Sequence, residues 1–287
     1  MQGLNVLSCF DGMSCGQIAL ERAGIVVDNY YASELDKYAI AITQKNYPNT
    51  VQLGDVKEIS GDDLPPIDLL IGDSPCQGFS FAGKQLNFQD PRSALFFEYV
   101  RLLKKLKPTY FLLENVKMRK EYQDIISKHI GCSPVEIDSI DFSAQSRRRL
   151  YWTNIPISDW LSKDITLTKG GISVHAWSKS WRLDGSFDER INKTGKTNTL
   201  TCSIGGTSSI NFFPDKEVDF KPRKVWNRRE LYYHNIEKHQ KITPQESEYL
   251  QTVPSGYTYG VSNTQRYKML GNGWTVDVIS HILKGIN

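Results

Sequence analysis

The sequence holds no apolar run near the roughly 18 residues that a membrane-spanning helix needs, which argues against a membrane protein. It has no CxxC pair, and its five cysteines (9, 15, 76, 132 and 202) are odd in number. Reduced thiols in a cytoplasmic compartment fit this better than a disulfide framework or a zinc site, so no metal is expected. The opening MQGLNVLSCFDG lacks a basic segment followed by a long apolar stretch, so no secretory leader is expected. Charge of one sign is scarce: 35 Lys+Arg against 32 Asp+Glu leaves +3, too little to indicate nucleic acid unless it is clustered. There is no internal repeat and no low-complexity tract. The chain has 287 residues, 39% of them apolar, with 21 glycines; this is globular composition and enough for a sizeable core.

Over the first 160 residues, short apolar runs alternate with helical periodicity. Strands are expected at 4–9, 26–32, 50–53, 67–71, 109–113, 135–140 and 150–154. Helices are expected at 14–23, 36–46, 93–105 and 120–128. Several of the strands are unbroken apolar runs bounded by Gly, Asp or Pro, as in strands buried on both faces. Such alternation predicts an α/β domain with a mainly parallel sheet. Within 93–105, Leu95, Phe96, Tyr99, Leu102 and Leu103 fall at helical spacing, with Arg101, Lys104 and Lys105 forming a basic end before Pro108.

From 165 to 235 the chain turns rich in Thr, Ser, Gly, Asn and Trp, with β-like pieces such as 197–203. This window carries 12 Lys+Arg against 7 Asp+Glu, a surplus that the whole-chain charge conceals. Trp177, Trp181, Trp226 and Tyr232 lie among Lys179, Arg182, Arg228 and Arg229, a mixture suited to phosphate contact and base stacking. A solvated basic face on a small β-rich subdomain has the same composition. After Ile242, Thr243-Pro244-Gln245-Glu246 has the form of a helix N-terminus with Thr at the cap. A last apolar helix is expected at Val276–Leu283.

Chemistry-bearing residues gather at the predicted strand ends. The first strand runs into Phe10-Asp11-Gly12-Met13-Ser14-Cys15-Gly16, a tight turn that lets backbone amides approach a ligand. It is not GxGxxG, which disfavours a dinucleotide. Glu34 closes the second strand, where a carboxylate accepts from ribose hydroxyls. Asp55 follows the third, placed to accept from an exocyclic amino group. Any one of these alone would be a turn or capping residue; three at successive strand ends form a nucleoside-binding pattern. The fourth strand ends in Asp73-Ser74-Pro75-Cys76-Gln77-Gly78, which sets Cys76 in a small polar loop as an exposed nucleophile. It is the thiolate that reacts, so such a thiol needs activation. The other four cysteines read as small buried hydrophobes. The fifth strand ends in Glu114-Asn115-Val116, a carboxylate at a sheet edge able to meet a heterocyclic ring nitrogen. In Gln145-Ser146-Arg147-Arg148-Arg149, strand alternation sets Arg147 and Arg149 on one face and leaves Arg148 on the surface.

Taken in order, FDGMSCG, SELDKYA, GDV, SPCQGFS, DPRSALFFEYVRLLKKLKPTYFLLENV, QSRRR, ITPQE and GNGWTV resemble the S-adenosylmethionine-dependent DNA cytosine-5 methyltransferases. The resemblance spans nearly the whole chain except about 165–238, where that family places its target-recognition region. It implies a Rossmann-like α/β methyltransferase domain, 1–164 with 239–287, and a small β-rich target-recognition region, 165–238. Ser74 and Trp274 resemble the vertebrate de novo branch, whereas GKQLNFQDPRSALFF resembles bacterial enzymes, and a bacterial or phage origin is expected. The family mechanism implies Cys76 as nucleophile on carbon 6 of a flipped-out cytosine, Glu114 on ring nitrogen 3, and Arg147 and Arg149 positioning the base and the catalytic loop. It implies S-adenosylmethionine contacts at Phe10, Asp11, Gly12, Met13, Ser14, Cys15, Glu34, Leu35, Asp55, Val56, Pro75, Leu95, Asn272 and Trp274. Ser80 and Lys84 are implied to face phosphates of double-stranded DNA, and 77–89, hinged at Gly78 and Gly83, is implied to be a lid. A restriction-modification setting goes with that family. Two alternatives stay open on the sequence: a tRNA cytosine-5 methyltransferase on the same scaffold, and a non-catalytic DNA-binding paralogue. CQGFSFAGKQ resembles the DNA enzymes, and the presence of Cys76, Glu114, Arg147 and Arg149 argues for catalysis.

Overall fold

The computed structural model describes residues 3–73, 95–169, 172–181, 187–192, 195–200, 209–214 and 239–286. Pro75, Cys76, Ser80, Lys84 and the expected lid at 77–89 lie outside the described residues, as do parts of the expected target-recognition region. The chain divides into two compact units: 1–138 with 148–160 and 276–287, and 139–147 with 161–275.

The first unit is built on a seven-stranded sheet. Its strands are β1 (Leu4–Cys9), β2 (Val27–Ser33), β3 (Val51–Gln52), β4 (Leu69–Asp73), β5 (Tyr110–Val116), β6 (Val135–Asp138) and β7 (Arg148–Thr153). They lie in the order β3-β2-β1-β4-β5-β7-β6. The five strands from β3 to β5 are parallel, and β7 runs antiparallel to both β5 and β6. This is the expected mainly parallel α/β sheet. Its strand order reverses direction between β1 and β4, the kind of switch point beside which ligands bind at strand carboxyl ends.

Four helices connect these strands: α1 (Cys15–Ala23), α2 (Lys37–Asn46), α3 (Leu95–Leu106) and α4 (Lys120–Ile130). The period-2 pattern of β1 sends Leu7 and Cys9 into a core with Leu70, Leu113, Phe96, Tyr99, Leu102, Ile126 and Trp152. Close packing there depends on Gly72, one residue before the end of β4. A Cβ on Gly72 would come within 2.9 Å of the Tyr99 ring and 3.2 Å of the Cys9 carbonyl oxygen. Only glycine lets α3 lie this close to the sheet.

The second unit contains α5 (Pro244–Leu250) and α6 (Asn263–Asn272), which pack on each other. It also holds a two-stranded sheet, β8 (Thr168–Lys169) with β9 (Ile172–Ser173). A four-stranded antiparallel sheet is made of β10 (His175–Trp181), β11 (Phe187–Asn192), β12 (Ser209–Pro214) and β13 (His239–Lys241), in the order β11-β10-β12-β13. Its core joins Ala144, Leu167, Val174, Leu200, Ile242 and Leu250. The expected helix start at Thr243 is a full capping box: its hydroxyl accepts from Glu246 N, and the Glu246 carboxylate accepts from Thr243 N at 2.6 Å. The β-like reading of 197–203 is not borne out over its described residues, where only Thr197 pairs, in an isolated bridge to Gln145. A final helix, α7 (Val276–Leu283), belongs to the first unit and packs on α1.

Candidate active site

The carboxyl edge of the parallel strands carries the predicted acidic residues of the first unit. After β1, Phe10, Gly12 and Ser14 all take left-handed backbone, with φ of 60°, 59° and 64°. Gly12 does so without strain; Phe10 and Ser14 do not, and non-glycine residues in this region cluster at ligand sites. A Cβ at Gly12 would meet nothing within 4 Å, so its outer face is open. Ser14 stands at the N-cap of α1, but its side chain makes no cap hydrogen bond. Its hydroxyl donates instead to Asp11 Oδ2 at 2.7 Å, while Tyr30 donates to Asp11 Oδ1 at 2.7 Å. Gln17 Nε2 donates to both Ser14 Oγ and Thr50 Oγ1, each at 2.8 Å. Burial raises the Asp11 carboxyl from 3.8 to about 6, with Glu34 adding to the rise and the Ser14 and Tyr30 donors opposing it.

Glu34 immediately follows β2, and three backbone amides donate to its carboxylate. Its Oε2 accepts from Gly12 N at 2.8 Å, and Oε1 accepts from Leu35 N and Asp36 N at 2.7 Å each. Glu34 therefore ties the turn after β1 to the end of β2, a role that sequence reading missed because the partners are 22 residues apart. Leu35 beside it is 69% exposed, an apolar side chain open to a ligand. Asp55 N-caps a short 3-10 turn, Val56–Glu58, with Oδ1 accepting from Lys57 N at 3.0 Å. Its other oxygen has no partner among the described residues. Met13, Cys15 and Val56 are buried beneath this edge, and Leu95 opens α3 and packs on the core.

Glu114 lies inside β5 rather than after it, because β7 extends the ladder to Val116. In the β4–β5 register it stands opposite Asp73, the residue that leads into Ser74-Pro75-Cys76. Arg149 Nε lies 2.7 Å from Glu114 Oε1. Arg148 is a surface residue, as expected, bonded to Asp138 at 3.2 Å.

In the second unit Arg147 is buried, and its guanidinium is engaged by backbone. Nη1 donates to Leu200 O at 3.0 Å and Gly271 O at 3.2 Å, and Nη2 to Gly273 O at 3.0 Å. Gln251 Nε2 donates to Leu270 O at 2.6 Å and Gly273 O at 3.2 Å. These two side chains hold the turn that carries Asn272 and Trp274. Gln145 and Thr275 complete the network through Gln251 Oε1. Neither Gln145 nor Gln251 is legible as a network residue in the sequence, because their burial is a tertiary property. The Trp274 indole N–H is buried with no partner among the described residues, an orphan donor of the kind a ligand satisfies.

An α/β sheet with a switch point, a strained turn and acidic groups at successive strand ends is the frame of a Rossmann-like methyltransferase. The chain belongs to the C-5 cytosine-specific DNA methylase family, which it matches over residues 4–129 and 143–287. That match runs through 165–238, where the motifs alone gave no resemblance. The chain is 30% identical to the type II methyltransferase M1.ScrFI of Lactococcus lactis subsp. cremoris, over 89% of this chain and 71% of that protein. It is 27% identical to the type II methyltransferase M.NlaX of Neisseria lactamica, over 96% and 94%. A solved structure of a Spodoptera frugiperda DNMT2 variant has the same fold, with TM-score 0.62, 21% identity and 99% of each chain covered. Among the described residues, no helix is long and apolar enough to cross a membrane.

Proposed function

We propose that this DNA cytosine-5 methyltransferase acts on cytosine flipped out of double-stranded DNA, with Cys76, Glu114, Arg147 and Arg149 as its working groups. The observation that carries the reading is the buried Glu114–Arg149 pair opposite Asp73, three residues ahead of Cys76 in the sequence. The Cys76 thiolate attacks carbon 6 of the ring. Glu114, oriented by Arg149 and carrying a proton for this step, donates it in a hydrogen bond to ring nitrogen 3 and so withdraws electron density from carbon 6. Arg147 holds the turn that carries Asn272 and Trp274. A general base takes the carbon 5 proton as the Cys76 sulfur leaves as thiolate, which restores aromaticity.

The residues present in the first unit fit S-adenosylmethionine: an open glycine turn, an exposed Leu35 and an uncommitted Asp55 oxygen. When bound, it supplies the methyl group that carbon 5 takes. Phe10 to Cys15, Glu34, Leu35, Asp55, Val56, Pro75, Leu95, Asn272 and Trp274 hold it, with Asp55 at the exocyclic amino group. Residues 165–238 read the target, and Ser80 and Lys84 meet phosphates. A bacterial or phage enzyme at work in the cytoplasm is in keeping with the Lactococcus and Neisseria relatives.

The test is transfer of labelled methyl groups to duplex DNA and, in parallel, to total tRNA. Label on DNA that disappears in Cys76→Ser, together with a covalent complex on fluorinated-cytosine DNA, supports the proposal. Label on tRNA alone overturns it in favour of the tRNA enzyme.

A further inference from the structure

Arg101 stands out among the charged side chains of the first unit because the motif reading gives it only a place in a basic helix end. In the structure all three nitrogens of its guanidinium are engaged. Nη2 donates to Val56 O at 3.1 Å and Nη1 to Ile59 O at 2.9 Å, while Nε donates to Glu98 Oε2 at 2.7 Å. Val56 opens the 3-10 turn that Asp55 caps, and Ile59 is the residue just after its end, so the two carbonyls bracket the turn. A turn of three residues cannot pair its own last carbonyls. Asp55 thus secures an amide of the turn and Arg101 the carbonyls on both sides of it, with Glu98 fixing the fork from one turn earlier on α3.

We propose that Arg101 is a positioning residue for the adenosine end of the methyl donor: it sets the Asp55–Ile59 turn so that the Asp55 carboxylate is aimed at the purine amino group. This rests on the cofactor reading given above. The planar fork reaches two carbonyls at once, which a lysine ammonium does not do. Side-chain exposures of 37% for Arg101 and 28% for Glu98 let water take the place of the fork. Removing it therefore loosens the turn without emptying the core. Lys105, on the same helix, bonds the exposed Asp62 at 2.7 Å beyond the turn and serves as a control.

The experiment compares wild type with Arg101→Lys, Arg101→Ala, Glu98→Gln and Lys105→Ala. It measures KM for S-adenosylmethionine, KM for DNA, kcat, calorimetric affinity for S-adenosylhomocysteine, and melting temperature. Arg101→Ala should raise the cofactor KM and weaken the homocysteine product by a common factor of roughly ten, the worth of one charge-assisted hydrogen bond. Arg101→Lys and Glu98→Gln should give smaller increases in the same direction. In all three, kcat and the KM for DNA should stay within about twofold, and Lys105→Ala should match wild type. Should Arg101→Ala fail to fold, the other two variants decide. Unchanged cofactor KM in folded variants, or a loss confined to kcat, overturns the assignment. A wild-type protein that binds neither cofactor nor product overturns the cofactor reading itself, a different outcome from failure of Arg101 alone.

Discussion

Glu114 and Arg149 form a buried ion pair, with Oε1 2.7 Å from Nε and side-chain exposures of 3% and 13%. The antiparallel ladder sets Tyr151 opposite Glu114 and Arg149 opposite Val116, so the pair is diagonal and needs a long side chain to close. Buried pairs of this kind are often no more stabilising than apolar groups of the same shape. What the pair does fix is geometry: it holds the Glu114 carboxylate in place opposite Asp73, near the carboxyl end of β4.

Glu114→Gln should therefore cost catalysis far more than cofactor binding. Loss of a positioned acid–base group lowers rates by about a hundredfold or more. Arg149→Lys keeps the charge but reaches only as a point donor, so an intermediate loss is expected. Single-turnover methyl transfer with saturating cofactor measures both. A Glu114→Gln rate within a few-fold of wild type would remove Glu114 from the mechanism.

How much of this was legible depended on whether the signal was local. β1 and α7 have the expected bounds, because a short, mostly apolar run before a turn and an apolar helical stretch are local patterns. The sequence suggests that β5 ends at Leu113, because Glu114 and Asn115 look like a strand terminus; Arg149, far along the chain, lets that carboxylate stay in the ladder. Glu34 is legible as a carboxylate at the end of β2, but its hydrogen bond from the Gly12 amide is not. Arg101 shows the same limit, since its partners at Val56 and Ile59 are more than 40 residues away.

Asp11 should leave a mark on stability in the mildly acidic range. Its carboxyl is raised from 3.8 to about 6, chiefly by burial, so the folded state holds more protons than the unfolded state between those values. Its contribution is complete below 3.8 and is lost as pH rises through about 6. Asp11→Asn disturbs the Ser14 and Tyr30 hydrogen bonds by an amount independent of pH, so only the slope is diagnostic. The wild-type urea midpoint, relative to the variant, should fall as pH rises through this window. A constant difference would contradict the assignment.

Glu248 should behave in the opposite sense. It is fully buried, and Arg266 Nη2 donates to its Oε1 at 3.1 Å. Gly256 N donates to Oε2 at 2.7 Å, and Thr258 donates through both amide and hydroxyl. Burial alone would raise this carboxyl, but these donors outweigh it and hold it below 4.5. Its contribution is present above 4.5 and is lost as pH falls through the lowered value. Glu248→Gln leaves the buried Arg266 charge without its counter-charge, though Thr258 and Asn263 still accept from it, and should cost about 3 kcal/mol near neutral pH. Urea melts should show that gap narrowing in acid. Equal gaps at both pH values would mean that the pair is not ionised.

Binding to DNA should be steeply salt-dependent, with the dependence seated in one stretch of sequence. Residues 165–235 carry 12 Lys+Arg against 7 Asp+Glu, whereas the whole chain is nearly balanced. Each phosphate neutralised releases condensed counterions, so the logarithm of affinity falls with the logarithm of salt by about 0.9 per phosphate. Replacing both Arg228 and Arg229 by Ala should weaken binding about equally on all duplexes and flatten that slope by roughly one for each phosphate left without its cation. Lys104 is exposed on α3, in the first unit, and Lys104→Ala should leave the slope intact. Fluorescence anisotropy of a labelled duplex from about 50 to 200 mM salt resolves differences of this size. A slope that follows Lys104 and ignores Arg228 and Arg229 would move the phosphate-binding surface away from this window.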